Sequence, residues 1–381
     1  MKTIYFDYNA TTPLDPGARQ AMLPFLDEIF GNPSSAHHVG RRARALLDDA
    51  RERVAGGWRC KPSEVVFSSG GTESNNFAIL GTARSMREKG RHLITSTIEH
   101  HAVLNCFEYL EKNENFGVTY LPASPEGLIS PDDLKKAIRS DTTLVSLMSA
   151  NNEMGAIQPV AEFGEICHAQ GVLFHTDASQ SFGKESFVGV HQFNADLVSF
   201  CAHKLHGPKG AGALFIKSPL HPQPIILGGS HENERRAGTE NVPAIIGMAH
   251  AVENFLNPPV FPAEQLNKLT THLIQFLNSL DGVQFRGSKT RRLPNTVAFT
   301  VEGCDSAMLL AGLDLEGICA SSGSACASGA LEPSHVMLAM SVEKRLASSL
   351  VRFSLGRDST MEEVLTVEDA LTAVIKQARS H

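Results

Sequence analysis

The cysteines of this sequence show no pairing pattern. Seven are scattered through 381 residues, and no two form a CxxC. That excludes a disulfide framework and a structural zinc site of ordinary spacing. Most of them are expected to be small buried residues. An excess of positive charge is also missing: the formal net charge is −7, so DNA is not an expected partner. No run approaches the roughly 18 apolar residues of a membrane helix. The opening stretch, MKTIYFDYNATTPLDP, has one lysine and no apolar segment of the signal-peptide kind. A cytoplasmic protein without membrane contact is expected. There is no internal repeat and no low-complexity tract.

What is present is a globular composition, 42% hydrophobic and 20% charged, long enough for one large domain and a smaller one. Short apolar runs alternate with amphipathic stretches. Strands are expected at 65–67, 92–96, 117–121, 143–148, 172–174 and 196–200, with helices at 17–30, 43–54, 101–112, 131–138 and 159–169, and one that grows out of the stretch 69–74 and runs to about 88. Strands separated by helices of this length predict an α/β domain whose mostly parallel sheet is flanked by helices. After the helix 242–255 the Asn257-Pro258-Pro259 stretch marks a change to α+β character. The expected division is a large domain over 16–257 and a small one built from 1–15 and 258–381.

Two apolar runs end in polar residues, one at Asp177 and the other at Cys201-Ala202-His203-Lys204. In an open α/β sheet, residues beyond the carboxyl ends of strands face the ligand crevice. A lysine there beside an aspartate suits pyridoxal phosphate: the lysine carries the cofactor as a Schiff base and the aspartate keeps its ring nitrogen protonated. Ser69-Gly70-Gly71-Thr72-Glu73 is a strand-to-helix junction with small residues. Its N–H groups suit a phosphate, although no Gly-Lys-Ser/Thr follows to make a Walker loop. Ser321-Ser322-Gly323-Ser324-Ala325-Cys326 sets one cysteine among small polar residues. A nucleophilic thiol requires that kind of accessible setting. Arg352 lies within an apolar strand pattern, where its guanidinium meets either an internal acidic partner or a substrate carboxylate.

The TDASQS and SFCAHKLHGPKGAGAL stretches, with SSGSAC, resemble the cysteine desulfurases of the NifS/IscS type, which are fold-type I pyridoxal phosphate enzymes of the class V aminotransferase group. The motifs run from about residue 4 to residue 357. The resemblance implies conversion of L-cysteine to L-alanine, with sulfur passed to Cys326 as a persulfide. Lys204 and His100 would join Cys326 in catalysis. Gly71, Thr72, Asn152, Asp177, Gln180, Cys201, His203 and Thr239 would hold the cofactor, Thr239 that of a neighbouring subunit in a homodimer. Arg352 and Asn32 would bind the substrate carboxylate. Cys326 is also a candidate for transient ligation of an iron–sulfur cluster, with no metal in the cofactor site itself.

Two departures stand out. Cys201 replaces the serine usual before Ala-His-Lys, so the phosphate contact is either weakened or kept by backbone N–H groups. Gly228-Gly229-Ser230-His231-Glu232-Asn233, upstream of Arg236-Ala237-Gly238-Thr239, departs from the GGGQE-R pattern usual in that group. The implied partner is a sulfur-acceptor protein such as an iron–sulfur scaffold. Other readings are a selenocysteine lyase, a different class V aminotransferase and, in another class, a non-catalytic assembly scaffold.

Overall fold

The computed structural model describes residues 3–323 and 333–380. Cys326 therefore lies outside the described residues. A seven-stranded sheet forms the larger layer. Its order across the sheet is Val65–Ser68, Gly212–Ile216, Leu197–Cys201, Leu173–Asp177, Thr142–Ser146, His92–Ser96 and Gly117–Leu121. Gly212–Ile216 runs antiparallel to both of its neighbours, and the other four pairings are parallel. This strand is absent from the sequence expectation, which has only a glycine-rich turn after Lys204. The connection 205–211 explains its direction: a parallel return needs a crossover of a dozen or more residues, and a short turn permits only an antiparallel neighbour.

Helix limits also shift. The helix expected at 43–54 runs from His38 to Trp58 and stops where Arg59 turns left-handed, at φ 54°. The one expected at 17–30 is α-helical only over Pro16–Met22, followed by a 3₁₀ turn at Leu23–Phe25. Pro159 caps the helix Val160–Ala169 instead of lying within it. The strand expected at 172–174 is Leu173–Asp177, so Asp177 ends the strand instead of following it.

The main core lies between this sheet and its helices. Trp58 is fully buried, stacked on Phe182 with centroids 5.7 Å apart and edge-on to Phe200 at 5.6 Å. Phe182 also meets Phe187 and Phe193. Each fully buried aromatic contributes about 1.5–3 kcal/mol. The cluster thereby fixes two segments at once, the loop after Asp177 and the strand leading to Lys204.

A second core joins the two ends of the chain. Ile4 and Phe6 pack with the helices Ala263–Ser279, Ser306–Leu315 and Met361–Ala378. Its antiparallel sheet has the order Val351–Ser354, Thr296–Val301, Val283–Arg286. Ile4–Tyr5 pairs in parallel with Ile318–Cys319. The last helix is closed by a capping box, in which Thr360 and Glu363 bond each other's backbone N–H. Among the described residues, no helix is long and apolar enough to cross a membrane.

Candidate active site

The carboxyl ends of Val65–Ser68, His92–Ser96, Thr142–Ser146, Leu173–Asp177 and Leu197–Cys201 point the same way, so the residues that follow them collect at one sheet edge. A cavity of about 230 Å³ opens there. Gly71, Thr72, His100, Asn152, Asp177, Cys201, His203, Lys204 and Arg352 all line it. Nine residues picked from the sequence, from six separate stretches, thus meet in one place.

Asp177 is held as a carboxylate. Burial alone would raise its pKa. The Ser179 backbone N–H at 2.9 Å, the Lys204 charge and the Asn75 amide at 2.7 Å outweigh that and leave the group below its ordinary range. Lys204 sits in the 3₁₀ turn after Cys201, and its Nζ makes no hydrogen bond or ion pair among the described residues. His100 caps the helix His101–Glu114: the Ala102 N–H donates to its Nδ1 at 3.0 Å. The neutral ring therefore carries its proton on Nε2. Burial, reinforced by the Lys204 charge, lowers its pKa to about 4. His203 is lowered to about 4 for the same reasons. Both imidazoles are neutral at pH 7. The neighbouring Glu99 is fully buried and bonded to Ser96 Oγ and the Met148 N–H, which ties the His100 loop to the next strand.

Of the two settings expected for Arg352, the internal acidic partner is present. Its Nη2 meets Asp7 Oδ1 at 2.6 Å, so the internal salt bridge exists. Its Nη1 donates to the Asn152 and Gly323 carbonyls at 2.9 and 2.8 Å. The guanidinium still lines the cavity, and its buried Nε has no hydrogen-bond partner among the described residues.

Some expected residues lie elsewhere. Asn32 is exposed, and its side chain accepts the Ser34 N–H at 2.9 Å. Thr239 is exposed and lines a separate cavity of about 240 Å³ with Ser68, Ser69 and Arg236. Gln180 is buried behind the cavity, donating to the Asn9 carbonyl at 3.1 Å and accepting from Lys184.

Others were not singled out from sequence. Asn9 and Asn75 line the cavity, and a turn-rich opening and a helix interior give neither of them a signal. Ser179 also lines it, beside Cys201. It offers a hydroxyl in the corner where position 201 has a thiol, one that burial pushes above its ordinary pKa. The TDASQS stretch already contained that serine.

The Gly70–Thr72 side of the cavity depends on close backbone approach. A Cβ on Gly212 would fall 2.6 Å from Gly70 Cα and 2.7 Å from the Phe200 carbonyl oxygen. Gly212→Ala is therefore expected to push the Gly70–Thr72 turn away and cost about 1–3 kcal/mol. Chemical denaturation measures this, and an unchanged midpoint would show that the strand yields freely.

The class-V aminotransferase family pattern matches residues 4–367. The chain is 46% identical over 380 residues to the cysteine desulfurase IscS of Dictyoglomus turgidum, covering 100% of this chain and 96% of that protein. It is 43% identical over 379 residues to the cysteine desulfurase IscS of Methanosarcina thermophila, covering 100% and 93%. Among solved structures it resembles a NifS-like protein with a TM-score of 0.90 at 36% identity, covering 99% of each chain. It also resembles SspA in complex with cysteine, with a TM-score of 0.82 at 36% identity, covering 94% of this chain and 100% of that one.

Proposed function

We propose, from the premise that this chain belongs to the class-V aminotransferase family and to its cysteine desulfurases, that it converts L-cysteine to L-alanine and passes the sulfur to Cys326. The observation that carries this reading is the convergence of Lys204, Asp177, His100 and Arg352 on one cavity. The residues present suit pyridoxal phosphate. They offer an uncommitted amine, a carboxylate kept ionised, the Gly71–Thr72 turn and the Ser179 hydroxyl. Asn75 Oδ1 is also buried without a partner among the described residues. Bound there, the cofactor supplies an electron sink for the carbon that bears the substrate amino group.

The chain's own residues do the rest. Arg352 grips the substrate carboxylate with a guanidinium already oriented by Asp7 and two carbonyls. Lys204, with Nζ free to move, takes and returns a proton at Cα. Neutral His100 lines the cavity and can donate from Nε2 without adding charge. The Cys326 thiolate attacks the substrate sulfur. One S–S bond forms, the C–S bond breaks with its electron pair left on carbon, and a proton replaces sulfur to give alanine. The product on the protein is a persulfide, a reversible cysteine state.

Thr239 lies apart from its own chain's cavity, which supports a role in a second subunit's site and hence a homodimer. The sulfur is destined for an acceptor protein such as an iron–sulfur scaffold. A cytoplasmic setting fits the six described cysteines, all free.

The test is alanine formation from L-cysteine by purified protein with added pyridoxal phosphate and a thiol reductant. Alanine and sulfide are expected in equal amounts. Cys326→Ala is expected to keep the visible band of the bound cofactor and lose alanine formation. Normal turnover by that variant would remove Cys326 from the reaction.

A further inference from the structure

Glu153 is 1% exposed in a loop that borders the cavity. It follows Asn152, whose side chain lines the cavity and whose carbonyl accepts from Arg352. One of its oxygens, Oε2, meets both ends of the stretch 324–332. From one side comes Gly323, with φ +105°, packed so closely that a Cβ there would lie 2.5 Å from Oε2 and 2.9 Å from Cδ. From the other comes Ser334, whose hydroxyl donates to the same Oε2. The Ser334 oxygen also accepts the Met337 N–H at 3.1 Å, so it caps the helix His335–Ala339 as well. The Glu153 backbone N–H is itself tied to Asn151 Oδ1 at 2.9 Å.

We propose that Glu153 is a positioning residue for sulfur transfer: its buried carboxyl fixes Gly323 and Ser334 side by side and so sets where the stretch carrying Cys326 starts and ends. The proposal rests on the reading of Cys326 given above. The arrangement has a chemical reason. A chain segment with both ends held close together has less conformational freedom than one with free ends. A thiolate attacking a substrate sulfur needs near-contact geometry, and a misplacement of 1 Å is worth about 10²-fold in rate. The grip also adjoins the substrate side, because Arg352 holds the Gly323 carbonyl at 2.8 Å. Burial raises the Glu153 pKa above its ordinary range, against the hydrogen bond from Ser334 and the charges of Arg352 and His101. Its other oxygen, Oε1, is buried with no partner among the described residues. An amide of the same shape should therefore fit.

The experiment compares wild-type holoenzyme with Glu153→Ala, Glu153→Gln and Ser334→Ala. Glu153→Ala is expected to lower kcat for alanine formation by about 10²-fold with KM for L-cysteine little changed. The cofactor band and its response to added L-cysteine should persist. Glu153→Gln, which can still accept from Ser334, should recover most of the rate, and Ser334→Ala should fall between them. Wild-type kcat in Glu153→Ala, or no recovery in Glu153→Gln, would overturn the proposal. Hydrogen exchange in peptides spanning 320–323 and 333–338 gives a second readout that needs no turnover. Faster exchange is expected at both ends in Glu153→Ala, and unchanged exchange would also overturn the proposal. If wild-type protein forms no alanine, the reading of the reaction fails, and hydrogen exchange alone decides whether Glu153 holds the two ends.

Discussion

Replacing Lys204 by alanine is expected to give a folded protein that no longer shows the visible absorption of a lysine-linked cofactor and makes alanine at least about 10³-fold more slowly. Folding should survive because the Lys204 Nζ makes no hydrogen bond or ion pair among the described residues. The strand before it is held by Phe200 against Trp58 and Phe182. Asp177, His100 and His203 all sense the Lys204 charge, so the variant should also shift their titration. For His100 the sign is clear. The Lys204 charge disfavours the imidazolium, and its loss raises the His100 pKa from about 4 toward the ordinary value. Absorption spectra, with NMR of the histidines in the variant, would check both effects. An unchanged visible spectrum would rule out Lys204 as the point of attachment.

A second large effect is expected at Lys184. Its side chain is 1% exposed, and its amine donates to Asn9 Oδ1 at 2.7 Å and Gln180 Oε1 at 2.5 Å, with the Phe261 ring centroid 5.4 Å away. No carboxylate pairs with it among the described residues. The site lies at the seam between the two cores, since Asn9 also bonds Asn152, Asn295, Thr296 and Ser354. Lys184→Ala leaves the Gln180 oxygen without its partner and opens a void, at a cost of about 3 kcal/mol. Lys184→Met refills the space and should lose less.

The pH dependence follows from burial, which holds the Lys184 amine well below the ordinary lysine value of 10.5. Between the folded and unfolded pKa values the unfolded chain binds more protons, so this residue makes stability rise with pH. That rise should disappear in Lys184→Met. Denaturant unfolding of the three proteins at pH 7 and pH 9.5 measures both effects. A cost below about 1 kcal/mol for the alanine variant would show the amine to be dispensable.

The features legible in the sequence were those that local rules govern. Apolar runs of three to six residues ended in polar motifs, and each motif sits at a strand end on one sheet edge. The strand Gly212–Ile216 escaped notice because its first residues are small and glycine-rich. That composition reads as a turn, whereas tight packing against Gly70 is what requires it. Lys184 and Glu153 escaped for a different reason. Charged residues are expected in water, and nothing near either position in the chain announces that its partners are Asn9, 175 residues away, and Ser334, 181 residues away. Long-range polar pairing has no local period. Asn32 shows the converse: a motif matched residue by residue identified it, yet its loop stands away from this chain's cavity.

The order in which the chain is made gives the seam between the two cores a further meaning. Every strand of the seven-stranded sheet has been synthesised by Ile216, and with it the Gly70–Thr72 junction, Asp177 and Lys204. Asp7 must wait for Arg352, and Ile4–Tyr5 for Ile318–Cys319, more than 300 residues later. At about 5–20 residues per second, a nascent chain holds Asp177 and Lys204 for about 7–27 seconds before Arg352, the arginine proposed to bind the carboxylate, exists. A chain at that stage has the lysine proposed to attach the cofactor but not yet the arginine proposed to grip the amino acid.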